Sequence, residues 1–316
     1  MEKNKFFTHP LVITLCALLC CALWGSATPF IKLGYELIMP HGGVPSTLVF
    51  AGIRFFFAGV LTVLIYSIGR RRVLYPKKEN LGRVSIVACF QTIIQYLFFY
   101  VGLANTSGVK GTILSGSSTF FAILVSCLIF RMEKLNLKKI VACLLGFTGI
   151  ILVNINGLTF EMNLLGDTFV LFSAISLAIS SVLMKRFSKY EDPVVLSGYQ
   201  FILGGAVMTA VGFIAQGYVR FPNAKSVLVM LYLSMLSAVA YALWGMLLKF
   251  NPVSKVTIFS FSTPIMGVIL SSLLLKEESR VTWPILLLTL LFISGGIFLL
   301  NYERKKPREA KPVKEV

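Results

Sequence analysis

The chain has 316 residues, of which 14% are Asp, Glu, Lys or Arg and 56% are hydrophobic, with 26 phenylalanines; soluble domains carry about 25% charged residues. Together with a mean hydropathy of +0.82, this excludes a soluble globular domain and points to an all-α integral membrane protein. The formal net charge of +17 is therefore a question of membrane sidedness, and nucleic-acid binding, which needs basic and aromatic residues together on a folded soluble surface, is not expected.

A hydrocarbon core needs roughly 17 to 25 apolar residues per helix. Ten stretches qualify: 11–34, 47–68, 84–104, 109–130, 138–155, 164–184, 194–216, 226–248, 253–275 and 281–301. The first is longer than a signal-peptide core and is followed by a second span, so it is expected to stay in the protein. Its WGSATPFIK run sets Gly25, Ser26, Thr28 and Pro29 just after Trp24, which weakens the helix there. Lys32 follows near the far end, from which its ammonium can snorkel to an interface. The second span holds Arg54 seven residues inside its start, roughly 10 Å along a helix. No span offers an embedded carboxylate to pair it, and a structural role, snorkelling or tying down helix-terminal carbonyls, is favoured over a functional one.

The third span carries Gln91 and Gln95 one turn apart, with Tyr96 beside the second. The fourth opens as VKGTILSGSSTFFAIL, where Gly111, Ser115, Thr119, Ala122 and Ser126 recur on one helical face and Ser118 adds a further hydroxyl. Asp167 opens the sixth span, where a negative charge suits a helix N-terminus, and Lys185 lies near its other end, within reach of an interface. The eighth offers Ser237, Tyr241 and Trp244 at helical spacing. The ninth, SKVTIFSFSTPIMGVI, repeats the fourth, with Val256, Ser260, Pro264, Gly267 and Ser271 on the matching face.

Such faces have two readings. Small residues let helices approach closely while hydroxyls bond carbonyls one turn back; alternatively the stripe borders a polar cavity, which Pro264 favours by freeing a backbone carbonyl. On the cavity reading, the candidate substrate-binding residues are Trp24, Thr28, Gln95, Tyr96, Ser115, Ser118, Tyr241, Trp244, Ser260 and Thr263. The six cysteines all lie within spans and read as small buried hydrophobes. His9 and His41 lie outside the spans or at their margins, so neither a metal site, a cofactor nor a catalytic residue is expected.

Laid without gaps on 240–278, residues 95–133 match at ten of 39 positions, among them Tyr96, Lys110, Ser115 and Glu133. Further upstream Arg54 falls on Gln200, Lys32 on Lys185 and Trp24 on Leu177. The chain thus reads as two homologous five-span halves, 1–156 and 157–302, followed by a basic tail at 303–316. Because five is odd, the second half enters the membrane from the opposite face, an inverted repeat. With the N-terminus inside, 23 of the 30 Lys and Arg residues fall on the cytoplasmic side, as the positive-inside rule requires of a plasma-membrane protein with both termini cytoplasmic.

WGSATPFIK, IRFFFAGV, QYLFFYVGL running into SGVKGTILSGSSTFFAIL, FRMEKLNLKKIVACLLGFTGIILVN, and AYALWGMLLK before FSTPIMGVILSSLLLKEE together resemble the EamA-type transporters of the drug/metabolite transporter superfamily, over residues 11–301. The resemblance implies ten helices in two inverted halves, a central cavity chiefly between the first four helices of each half, and transport of small organic metabolites. Trp24, Gly25, Lys32, Arg54, Glu133 and Glu278 match family positions as scaffold signatures. Leu177 stands where similar proteins often have tryptophan, which argues against a symmetric two-tryptophan cage for a quaternary ammonium ligand.

The expected function is secondary transport of a small organic metabolite, amino acid-like or otherwise amphipathic or zwitterionic, outward from the cell, by alternating access between the halves. The partners expected are that small molecule and the lipid bilayer, with the chain a monomer or homodimer. A receptor or sensor would call for more than the 14-residue tail. A membrane enzyme would need a nucleophile, acid and base, or metal ligands at membrane depth. The topology has a direct check in a background lacking the native cysteines. Cysteine at Lys225 is expected to react with an impermeant thiol reagent on intact cells, and cysteine at Arg71 or Lys138 to stay unlabelled. Cysteine at Lys276 is expected to react like that at Lys225, and equal labelling of the Arg71 and Lys276 sites on intact cells would contradict the inverted arrangement.

Overall fold

Inside a hydrocarbon layer every backbone N–H and C=O has to find its partner within the chain, which makes the helix the default for segments this apolar. The computed structural model describes residues 2–157, 163–275 and 282–301, and is helical along most of them. Lys276, Glu278, Arg280, the side chain of Ser271 and the basic tail lie outside the described residues.

After a short helix, Glu2–Thr8, the chain forms α1 (Pro10–Ile38), α2 (Val44–Arg70), α3 (Lys78–Ala104), α4 (Gly108–Ile129), α5 (Leu137–Val153), α6 (Leu164–Phe187), α7 (Pro193–Ile214) and α8 (Ala224–Phe250). The ninth, α9, starts as Val253–Thr257, tightens into a 3-10 stretch at Ile258–Ser262 and resumes as Thr263–Leu275; α10 is Trp283–Asn301. Among the described residues nine of these are long and apolar enough to cross a membrane. The exception is α5, which has 17 residues and ends two residues before its expected limit. There Asn154 turns back on the helix, its Nδ2 donating to the Ile150 carbonyl at 2.8 Å.

The helical irregularities have local causes or fall at the polar stretches. Pro264 sits at the second position of the resumed α9 segment, where its missing N–H and fixed φ cost least, directly after the 3-10 stretch. By contrast, α1 runs continuously through Pro29, so WGSATP is not an interruption. Ser26 bonds the Leu23 carbonyl at 2.7 Å and the Tyr232 hydroxyl at 2.8 Å. A π-helical segment, Cys89–Ile94, lies within α3 and contains Gln91; such bulges recur at functional sites.

Packing follows a regular scheme. α1 lies against α8 and α9, α6 lies against α3 and α4, α2 pairs with α7, and α5 pairs with α10. Replacing each helix by the one five places along maps this set onto itself. Lipid supplies no hydrophobic drive for helix association, so close van der Waals contact must supply it. The α2–α7 seam shows how: Gly52 and Gly59 face Gly205 and Gly198, and a methyl group on Gly205 would collide with the backbone of Gly52 and Phe56.

The two ends of the bundle are tied differently. Where α4 meets α5, Glu133 accepts hydrogen bonds from Lys139 Nζ at 2.9 Å, Ser126 Oγ at 3.2 Å and, across the bundle, from both the backbone N–H (3.2 Å) and the hydroxyl of Ser254 at the start of α9. Nearby, Lys185 does not snorkel: its Nζ donates to the carbonyls of Leu248, at 3.0 Å, and Asn251, capping the C-terminus of α8. Asn251 in turn donates to the Phe7 carbonyl at 2.9 Å. At the opposite end Asp167 opens α6 as expected and accepts from Lys110 Nζ at 2.5 Å and Thr106 Oγ1 at 2.6 Å.

Glu133 makes one of these ties titratable. Burial works to raise its carboxyl, but hydrogen bonds from Ser254 and Lys139 outweigh that and hold it below the ordinary value of 4.5. A carboxylate with a depressed folded-state pKa contributes stability that is fully present above its unfolded value and is lost as pH falls through the folded one. Thermal unfolding in detergent should therefore show the wild type losing more stability than Glu133→Gln as pH drops below about 4.5, with the variant less stable at neutral pH. Parallel curves for the two proteins would remove Glu133 as the tie.

Candidate functional site

Polar side chains on apolar helices must face protein or water, and here a group of them converges on one space. A cavity of about 1110 Å³ lies between α1, α3, α4, α6, α8 and α9. α5 contributes Ile150, Val153 and Asn154, and α2 contributes Arg54. No residue of α7 is on its wall, so the lining departs from the first four helices of each half. Its deep end is walled by Met184, Leu248 and Thr257. Directly beyond these lie Lys185, Asn251 and Ser254, the residues of the Glu133 and Lys185 ties. At the other end the wall reaches Lys32, Gly108 and Asn156, at the far ends of α1, α4 and α5, so the space opens toward that face.

All ten residues singled out from the sequence, Trp24, Thr28, Gln95, Tyr96, Ser115, Ser118, Tyr241, Trp244, Ser260 and Thr263, lie on this one wall. Trp24 is the hub of its aromatic part. Its ring meets Trp244 edge-on at 4.9 Å and Tyr241 at 5.2 Å between centroids, favourable T-shaped contacts. The repeat mates Tyr96 and Tyr241 share a hydrogen bond of 2.9 Å between their hydroxyls, which joins α3 to α8 across the cavity. Leu177, the mate of Trp24, is also on the wall, so the aromatic surface lies to one side.

The hydroxyl stripe both packs and lines: Gly111, Ser115, Thr119 and Ala122 are all on the wall. Thr119 donates to the Thr257 carbonyl at 3.2 Å and ties α4 to α9, and Gly111 lies against Leu103. Ser115 Oγ, Gln91 Oε1, Gln95 Oε1, Thr263 Oγ1 and Trp24 Nε1 are buried without a hydrogen-bond partner. These five orphaned polar atoms on one wall form a set of donors and acceptors that a solute can complete, since a buried polar group left unmet costs about 1–3 kcal/mol.

Several lining residues were not singled out from the sequence. Tyr100 follows Tyr96 by one helical turn and stacks with it at 5.8 Å, a spacing that was readable. Tyr35 and Asn156 lie at helix ends, where nothing in the local pattern distinguishes a cavity rim from a loop. Arg54 is the largest revision. Its helix begins at Val44 rather than 47, placing it ten residues in, about 15 Å along the axis and near mid-membrane. It is only 4% exposed and binds no helix-terminal carbonyl: its Nε donates to Ser237 Oγ at 3.3 Å and its guanidinium stacks over Phe55 at 4.6 Å. The expected structural roles, snorkelling and carbonyl binding, are thus not what the side chain does.

The six cysteines are free. Cys20 and Cys21 act as small donors that link α1 to the carbonyls of Ala240 in α8 (3.4 Å) and Phe259 in α9 (3.1 Å). Among the described residues no three His, Cys, Asp or Glu side chains are grouped to hold a metal ion.

A probable amino-acid metabolite efflux pump of Salmonella typhimurium is 24% identical over 274 residues, covering 83% of this chain and 86% of its own length. An uncharacterized transporter of Bacillus subtilis, YvbV, is 23% identical, with 91% of each chain covered. A WAT1-related chloroplastic protein of Arabidopsis thaliana is 25% identical over 79% of this chain, which spans only 63% of that relative. One solved structure shares the fold at a TM-score of 0.73 and 17% identity, covering 91% of this chain and 96% of its own. The family model for EamA-like transporters matches residues 11–155 and 164–302, and with both stretches matched the chain, a multi-pass membrane protein, belongs to the EamA-like transporter family.

Proposed function

We propose that the protein is a secondary-type transporter that exports a small organic metabolite, amino acid-like or otherwise amphipathic or zwitterionic, by alternating access between two inverted five-helix halves, residues 1–156 and 157–302. The observation that carries this reading is the cavity of about 1110 Å³, which reaches one end of the bundle and is closed at the other by Met184, Leu248 and the ties behind them. A carrier caught open to one side has this form. Two further observations support the inverted halves: the family matches fall on two stretches of similar length, and the helix pairing is unchanged when the halves are exchanged. Such symmetry lets each half adopt the other's conformation, which would close the present opening and open the present floor.

On this reading α5 is the tenth span, the protein sits in the plasma membrane with both termini cytoplasmic, and the opening faces outward. It works as a monomer or homodimer without a cofactor. The name of the Salmonella relative and the mixed apolar and hydroxyl lining both suit an amphipathic solute. Export then requires the Ser254–Glu133 tie to break so that the solute can enter from the cytoplasm.

Liposomes loaded with an amino acid-like solute should exchange it with external labelled solute, and Ser115→Leu, which fills the cavity, should lower that exchange by about tenfold or more at matched protein content. Exchange unchanged by Ser115→Leu and by Ser260→Leu, or binding without exchange, would overturn the transport reading.

A further inference from the structure

We infer that Arg54 is the receptor for an anionic group, a single carboxylate, on the transported solute, and that this makes the cavity selective for amphipathic monocarboxylates over organic cations. The inference rests on the transporter reading above and sharpens its substrate class.

The cavity wall carries two charged residues among those described, Lys32 and Arg54; both are basic, and no Asp or Glu is on it. Arg54 lies deep, at 4% exposure. Among the described residues no carboxylate pairs with it, and its Nε to Ser237 contact is the one hydrogen bond of its guanidinium. The Phe55 ring covers one face. Both terminal nitrogens, the fork that matches a carboxylate in two parallel bonds, are left without a hydrogen-bond partner. An intramembrane arginine that neither pairs nor snorkels is costly, and a ligand entering the cavity can supply the missing partner.

The surroundings point to the same chemistry. Tyr35, Tyr96, Tyr100 and Tyr241 all lie within electrostatic reach of the Arg54 charge. Tyrosine hydroxyls are donors that can add to an oxyanion's bonds. Next to this polar pocket the Trp24 and Trp244 faces offer an apolar surface for the body of the solute. One guanidinium balances one negative charge; a dianionic phosphate monoester would bring a second charge to membrane depth with less to offset it. A cationic solute would meet like charge without an acid on the wall to compensate, and cation–π contact alone has to overcome that.

Four probes sharing one phenyl group test this: 3-phenylpropionate, 3-phenylpropan-1-ol, 3-phenylpropylamine and 2-phenylethyl phosphate, titrated against the purified full chain by calorimetry and tryptophan fluorescence. The wild type should bind the carboxylate about tenfold or more tightly than the alcohol or the amine. Arg54→Gln should erase that preference while leaving alcohol binding within about twofold, and Arg54→Lys should keep part of the preference. The alcohol shows that the variant cavity is intact, and the ranking of probes on the wild type stands even where a variant does not fold. Amine binding as tight as carboxylate binding, a preference for the phosphate, no binding of the carboxylate, or an unchanged preference in Arg54→Gln would overturn the assignment. Counterflow in liposomes separates the two claims. Carboxylate-selective binding without exchange would sustain the Arg54 site and sink transport, whereas exchange of the amine in preference to the carboxylate would sustain transport and sink the site.

Discussion

A polar group at membrane depth is costly unless protein or water satisfies it, and that cost organises this molecule. Hydroxyls on α4 and α9 can be satisfied within their own helices, and several are: Thr112 bonds the Gly108 carbonyl at 2.9 Å and Thr257 the Val253 carbonyl at 3.0 Å. Much of what is not satisfied that way gathers around one space. Arg54, the two glutamines of α3, Ser115 and the indole N–H of Trp24 share a cavity wall because each alone, facing lipid, would be expensive, whereas together they border one shared volume.

The same constraint shapes the contacts that close the bundle. Charged side chains pair close to the helix ends, where water limits the penalty: Asp167 with Lys110 at one end, Glu133 with Lys139 at the other. Between the ends, helices are joined by close packing and small donors, as at the α2–α7 glycine seam and the two thiols of α1. Contacts of that kind are strong in sum and weak individually. A carrier that alternates needs such a division, with an intact seam on which the halves move and a few breakable ties at each mouth.

Much of the fold was legible because hydropathy acts over whole segments. The expected stretches and the observed helices agree to within a few residues at most ends, and the larger differences are physical: α1 extends to Ile38 beyond its last long apolar run, and α3 starts at Lys78 with a polar turn that hydropathy does not register. The 3-10 stretch before Pro264 follows a visible signal, whereas the π-helical segment at Cys89–Ile94 has none that local propensity provides. The site was legible where helical spacing repeats a chemistry, as for Ser115 and Ser260 or Tyr96 and Tyr241. It was not legible for Arg54, whose reading depended on what lay opposite: sequence shows that no acid accompanies it in α2, but only the packing of α8 shows that Ser237 is its partner and that the cavity lies alongside.

The central claim is that one cavity is reached in turn from both faces of the membrane. Ser181 lies on its wall close to Met184 and the closed end. A single cysteine placed there, in a background lacking the native cysteines, can be challenged with an impermeant thiol reagent in right-side-out and in inside-out vesicles. Alternating access predicts labelling from both sides, with solute slowing each reaction. Labelling from one side only, unaffected by solute, would contradict it.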